Sequence, residues 1–237
     1  MLDLEDLYKQ RVAVHFTDFT EVILDRKTLS DIETAAEVLA HFKLQSETAY
    51  KKDGASLKTR FKTGFKGEAA VEKLLGIKIM DLSTGVSINY DHPDIPGYAI
   101  GVKTVRDGSF PIIQKNNEYA QIICIVDPDI DARVYVCGLA TKDILNKFQS
   151  DLLVRDSNIL EKGTKTGFFG FHTLVKINDA KDIESFKLTD DEAKRFAELR
   201  KENEDKYAKE TKPKRTRKVK VEEPEDDIDE DDEDDDI

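Results

Sequence analysis

The sequence predicts an α/β domain with a mixed central β-sheet flanked by helices, followed by a disordered, charged C-terminal tail. Three observations carry this. Residues 77–138 break into short β-rich runs separated by turn residues, the pattern of a sheet. Helical spacing with capping signals stands on both sides of that block. From Thr211 onward no core-forming run remains. Helices before and after a block of strands give mixed layers.

The elements follow in order. Residues 11–24, RVAVHFTDFTEVIL, alternate and are rich in β-branched and aromatic types, so one or two strands are expected. Ser30 and Glu33 form an S-x-x-E capping box, and Ile32, Ala35, Ala36, Leu39 and Phe42 continue it at helical spacing. A basic stretch from Tyr50 to Gly67 interleaves Lys51, Lys52, Lys58, Arg60, Lys62 and Lys66 with Phe61 and Phe65. A short helix, 67–76, closes at Gly76. Strands IKIMDL, VSINY, YAIGVKTV, AQIICIV and RVYVCGL come next, punctuated at Pro96-Gly97, Asp107-Gly108 and Pro128-Asp129. Residues 141–153 read as a helix and 167–177 as a strand. Thr189 and Glu192 form a second capping box, opening a charged helix to about Lys209. The organisation is an N-terminal strand and helix part (1–50), a core (51–188), a charged helix (189–210) and a basic then acidic tail (211–237).

Charge divides the chain in two. The formal net charge is −12, from 37 basic and 49 acidic residues. Thirteen of those acids fall within Glu222–Ile237, which holds no basic residue. Positions 1–221 then carry 37 basic against 36 acidic residues, nearly neutral. Lys212 to Lys220 adds six cations just before the acidic run, suited to a DNA-backbone arm or a nuclear import signal. No run approaches the roughly 18–20 apolar residues that cross a bilayer. The acidic start MLDLEDLYKQ lacks the apolar core of a secretory signal, so a cytoplasmic protein is expected. Cys124 and Cys137 sit in apolar strands, as buried thiols do in a reducing compartment. Four scattered histidines and two cysteines make structural zinc improbable, and no G-x-x-x-x-G-K-[ST] loop is present.

The chemistry concentrates in HPDIPGYAIGVKT, residues 92–104. A turn at Pro96-Gly97 returns the chain so that Asp94 and Lys103 share one end of a sheet. Glu68 lies upstream on a helix. Each has a plainer reading: Asp94 starts a turn, Lys103 faces solvent, and Glu68 complements a helix dipole. Lys103 is flanked by Ile100, Val102 and Val105, a covered strand in which a stray lysine is costly.

Taken together, Glu68, Pro93-Asp94 and Val102-Lys103-Thr104 resemble the PD-(D/E)XK nuclease superfamily over roughly residues 60–140. That resemblance implies a restriction-endonuclease-like fold of phage or bacterial type. It implies an enzyme, a deoxyribonuclease using Mg²⁺ or Mn²⁺. Asp94 would be the central metal ligand, Lys103 the group that orients or deprotonates water, and Glu68 a supporting ligand. The motif's acidic position is Gly101 here. Losing a carboxylate weakens the hold on a hard cation. Either an acid has migrated into the site, with Asp91, Asp107 and Glu118 as candidates, or the fold binds without cutting. Glu118 completes the metal set in the first reading.

Lys58, Arg60, Lys62 and Lys66 are the expected phosphate contacts. Their plainer reading is a solvated face with Phe61 and Phe65 in the core. Lys165, in Gly163-Thr164-Lys165-Thr166-Gly167, is a weaker phosphate candidate whose plainer reading is an ordinary loop. Phe168, Phe169 and Phe171 read as core, and His92 as structural. The expected partners are DNA, a replication or recombination protein docked on the tail, and a second copy of the chain. The acidic tail has three uses: solubilising, competing with nucleic acid for the basic groove, or recruiting a basic partner. A third function class makes the tail a DNA mimic that inhibits a DNA-binding enzyme. Truncation before Glu222 is expected to raise DNA affinity in a fluorescence-anisotropy titration, most at low salt. An unchanged affinity would reduce the tail to a solubiliser.

Overall fold

Strand Ala120–Val126 is apolar at nearly every position, and both of its faces are buried. Such a strand belongs at the centre of a layered sheet. In the computed structural model, which describes residues 3–44, 54–83 and 92–210, it does. The elements are α1 (Leu4–Arg11), β1 (Thr20–Ile23), α2 (Arg26–Leu44), α3 (Gly54–Leu75), β2 (Ile100–Arg106), β3 (Ile112–Gln114) and β4 (Ala120–Val126). After these come β5 (Arg133–Ala140), α4 (Lys142–Lys147), β6 (Gln149–Ser150), α5 (Ser157–Lys162), β7 (Lys165–Phe168) and α6 (Asp190–Glu210). The main sheet is four-stranded, ordered β1-β5-β4-β2, with β2 parallel to β4 and the other pairs antiparallel. A smaller sheet is ordered β3-β7-β6. The mixed sheet with helices around it is the expected α/β architecture.

Two apolar clusters lie on opposite faces of the main sheet. Ile122, Cys124 and Val126 pack with α2 and α3, through Ile32, Leu39, Phe65 and Ala70. Ile123 and Ile125 pack with Tyr8, Val12, Leu145 and Phe168. A bulge between Ile123 and Cys124, opposite Gly138, shifts the register and re-phases β5. Gly138 has φ 134° and its Cα faces the carbonyl of Val175, a position with no room for a side chain. Cys124 and Cys137 are both buried free thiols, as expected. Among the described residues no helix is long and apolar enough to cross a membrane.

Several boundaries differ from expectation. Residues 11–24 yield only the short β1, because α1 and a 3-10 segment, Ala13–Asp18, occupy the preceding chain. Asp3 caps α1 by accepting from the backbone N–H groups of Glu5 and Asp6. Helix α2 starts at Arg26, not Ser30. Asp25 accepts from Thr28 N at 2.8 Å and from its hydroxyl at 3.0 Å, a cap that outcompetes the Ser30 box. The short helix expected at 67–76 is the second half of α3, whose first half is the basic stretch. Residues 77–82 form no strand. Helix α4 stops at Lys147 because Gln149 and Ser150 pair with β7. The 167–177 strand ends at Phe168, where Gly170 packs on Phe148 and the chain turns to bury Phe171. The Thr189–Glu192 box forms in both directions, at 3.0 and 3.3 Å, and opens α6. The VSINY strand and the 211–237 tail lie outside the described residues.

Helix α3 approaches β2 most closely at Gly67. A Cβ there would stand 1.7 Å from Thr104 Oγ1 and 2.8 Å from Thr104 Cβ. Gly67→Ala is therefore expected to lower stability by about 1–3 kcal/mol in urea unfolding, by forcing helix and strand apart.

Candidate functional site

The close contact at Gly67 sets the next residue, Glu68, beside β2. Asp94 reaches the same place from a tight turn. Gly97, with φ 81°, allows the reversal, and buried Ile95 anchors it. The backbone N–H groups of Asp94 and Ile95 both donate to Ile100 O, at 3.0 and 3.1 Å. Val102 N–H donates to Asp94 Oδ2 at 2.5 Å. The turn thus stitches itself to β2, the edge strand of the described sheet. Lys103 follows directly, so the expected meeting of Asp94 and Lys103 occurs. A turn achieves it; the strand expected before Asp94 lies outside the described residues.

Electrostatics mark these three side chains as one group. Asp94 presents surface to solvent, yet protein atoms crowd around its carboxyl. That crowding raises its carboxyl to about 6, against the opposing pull of Val102 N–H and Lys103. Glu68, half buried, is pushed well above the carboxylate range by burial, then by the charges of Asp94, Asp81 and Glu72. Burial lowers Lys103 to about 8, helped by Lys165 and Arg60 and opposed by Asp94. None of the three makes an ion pair within 4.0 Å among the described residues. Asp94 acts on Glu68 and on Lys103 without a direct ion pair to either, an arrangement more typical of a site than of a finished salt bridge.

The other expected site residues divide clearly. Arg60 on α3 and Lys165 on β7 bear on Lys103, and Arg60 also bears on Lys43 of α2, so the cationic side chains gather around Lys103. Lys58 reaches Glu33 at 2.8 Å and Glu37 at 3.4 Å, while Lys62 reaches Glu33 at 2.5 Å. The two lysines hold the Glu33 carboxyl down at about 2. Lys66 is buried and bonds both the carboxylate and the carbonyl of Asp131, the latter at 2.9 Å. These three lysines tie α2 and the β4–β5 loop to α3. Phe61 and Phe65 stack at 6.3 Å against the core. Lys165 stands on a strand, and the preceding Gly163 caps α5 in the left-handed conformation.

Of the acids expected to replace the one missing at Gly101, Glu118 contacts Arg195 of α6 at 3.6 Å. Asp107 accepts from Tyr8 OH at 2.6 Å and Gly108 N at 2.8 Å. It lies six residues along from Gly101, about 20 Å away at strand rise. Asp91 lies outside the described residues. His92 is buried beside Phe196, at 5.9 Å, a structural placement. Among the described residues no three His, Cys, Asp or Glu side chains converge as a metal-binding group. Glu68 and Asp94 are two hard oxygen donors, and the charge of Asp94 adds to the cost of ionising Glu68, a cost that a bound cation would relieve.

No protein-family model, curated protein or solved structure matches the chain.

The residue that sequence reasoning missed is Gln121. It faces Gly101 in the parallel register, and its carboxamide fills the space a side chain there would need. Its signal was present: a lone carboxamide at the head of the apolar run AQIICIV. The Asp94 carboxyl gives a pH test. A folded value of about 6 against an ordinary 3.8 means the folded protein resists losing this proton. The penalty is complete above pH 6 and fades as pH falls toward 4. Asp94→Asn, which still accepts from Val102, is therefore expected to raise the melting temperature at pH 8. The gain should vanish near pH 4. A gain equal at both pH values would contradict the burial argument.

Proposed function

We propose that this protein is a metal-dependent deoxyribonuclease with a restriction-endonuclease-like fold, hydrolysing phosphodiester bonds in DNA processing. The observation that carries the reading is the position of Asp94, fixed to β2 by Val102 N–H, with its charge bearing on Glu68 and on Lys103 and none of the three joined in an ion pair. In this reading Asp94 and Glu68 hold a Mg²⁺ or Mn²⁺ ion. Such an ion supplies charge neutralisation at a phosphate and an acidified water. Asp94 Oδ2 is fixed by Val102 N–H, which orients the carboxylate and leaves its other oxygen for binding. Lys103, at about 8, has an appreciable neutral fraction near pH 8 and is suited to accept a proton from water at Nζ. In its protonated form it offsets developing charge on the phosphate. Arg60 and Lys165 lie on the side where a polyanion's neighbouring phosphates would be held.

A second reading, a nuclease-like fold that binds nucleic acid without cutting, is favoured by one observation. The acidic position of the motif is Gly101, and Gln121 occupies its space. The two readings separate in one experiment. Plasmid, single-stranded and branched DNA are incubated with Mn²⁺ and with wild type, Asp94→Ala or Lys103→Ala protein. The nuclease reading expects wild-type cleavage and losses of at least about 100-fold in each variant. Cleavage equal in all three sinks it. DNA binding without cleavage, needing no divalent ion and persisting in Asp94→Ala, establishes the binder.

A further inference from the structure

Helix α3 carries two glycines in its interior, Gly64 and Gly67, and each weakens a helix relative to alanine. Gly67 has a packing reason, since Thr104 occupies the place of its side chain. Gly64 has none. It is half buried, yet a Cβ there would meet no atom of the described residues within 4 Å. A helix glycine beside open space leaves bare backbone that a ligand can approach closely.

The side chains one turn away indicate the chemistry of that ligand. Residues four apart lie on one face of a helix, so Arg60, Gly64 and Glu68 form a single stripe. Four cations stand in the first half of α3, and three are matched by acids of the protein. Lys58 and Lys62 bond Glu33, and Lys66 bonds Asp131. Arg60 is exposed and makes no ion pair or hydrogen bond among the described residues. Its charge falls instead on Lys43 and Lys103, which are cations themselves, and Lys165 adds a further one at Lys103. Like charges gathered from α2, α3, β2 and β7 attract an anion. The planar fork of arginine matches a phosphate in particular. Glu68 closes the other end of the stripe with the opposite charge, and Asp94 bears on it there.

We propose that the face of α3 at Gly64 seats a phosphodiester of the bound DNA strand, gripped by Arg60 one helical turn from Gly64. The inference rests on the nucleic-acid reading above, deepens it by naming where the strand runs, and holds whether or not the strand is cut. Helix rise puts Arg60 about 12 Å from Glu68 along α3. The phosphate at Arg60 is therefore a neighbour of the one that meets Glu68 and Asp94.

The test is fluorescence anisotropy of a labelled duplex and a labelled single strand with the full chain, in EDTA and again in Ca²⁺. A gel checks that the DNA stays intact. Wild type is compared with Gly64→Ala, Gly64→Leu and Arg60→Gln, and thermal melting is recorded for each. Alanine favours the helix and has room, so Gly64→Ala is expected to raise the melting temperature by about 2–4 °C. The same variant should weaken DNA binding roughly threefold, and Gly64→Leu, which fills the space, at least roughly tenfold. Arg60→Gln should weaken it roughly tenfold and reduce the salt slope by about one. Higher stability with weaker binding is a pair of signs that a purely structural glycine does not produce. If Gly64→Leu or Arg60→Gln binds as wild type does, the seat is overturned, while the nucleic-acid reading stands on the wild-type affinity. Where Gly64→Leu unfolds, an unchanged affinity in Gly64→Ala overturns the seat in its place. A lower melting temperature in Gly64→Ala overturns the open face, since the chain itself then fills the space. If wild type binds neither DNA, the seat and the nucleic-acid reading fall together.

Discussion

Three hydrogen bonds between the 94–95 turn and the start of β2 hold the rest of the site in place. Two go from Asp94 N and Ile95 N to Ile100 O, and one from Val102 N to Asp94 Oδ2. They satisfy edge groups of β2 that would otherwise stay open, and they spend one oxygen of the carboxylate in doing so. A hydrogen bond to a charged group contributes about 1.5–3 kcal/mol, twice an ordinary one. That gain offsets part of the cost of confining Asp94 beside Glu68. The bond therefore serves the fold and the chemistry together. It keeps a desolvated carboxylate charged and fixes where its second oxygen points.

The counterpart is α3, which delivers Glu68 only because it can press on β2. Gly67 over Thr104 permits the approach, and the lysines on the helix secure it. Lys58 and Lys62 draw on Glu33 of α2, while Lys66 reaches across to Asp131. Composition alone made all of these cations available to a polyanion. Their acids sit far away in sequence, on α2 and on the β4–β5 loop, so only the folded chain reveals the pairing. Arg60 differs because its influence falls on Lys103 and Lys43. The positive side of the site is smaller than the basic stretch suggested, and it borrows Lys165 from the second sheet.

What could be read from the sequence follows the range of the interactions involved. The β4 and β5 strands were legible because burial on two faces leaves a continuous apolar run. The Asp94–Lys103 meeting was legible because Pro96-Gly97 is local turn chemistry. The α6 start was legible for the same reason, through Thr189 and Glu192. Residues 11–24 misled because Ala13–Asp18 form a 3-10 segment with no buried residue, while Val12 just before it joins the core. Ser30 misled because Asp25 offers a stronger cap one turn earlier. Gln121 stood out only as a lone carboxamide, and its place opposite Gly101 depends on the parallel register of β2 on β4 across a crossover through β3.

That register also explains why a motif scan along one strand gives an incomplete account of this site. In a parallel pair, residues opposite one another point to the same face. Most positions of β2 and β4 fit two large side chains, as Val102 beside Ile122 and Val105 beside Ile125 do. At Gly101 the Gln121 carboxamide folds across instead and takes the volume that a side chain on β2 would need. The empty motif position is therefore a property of the strand pair, and it can be understood only once the register is known.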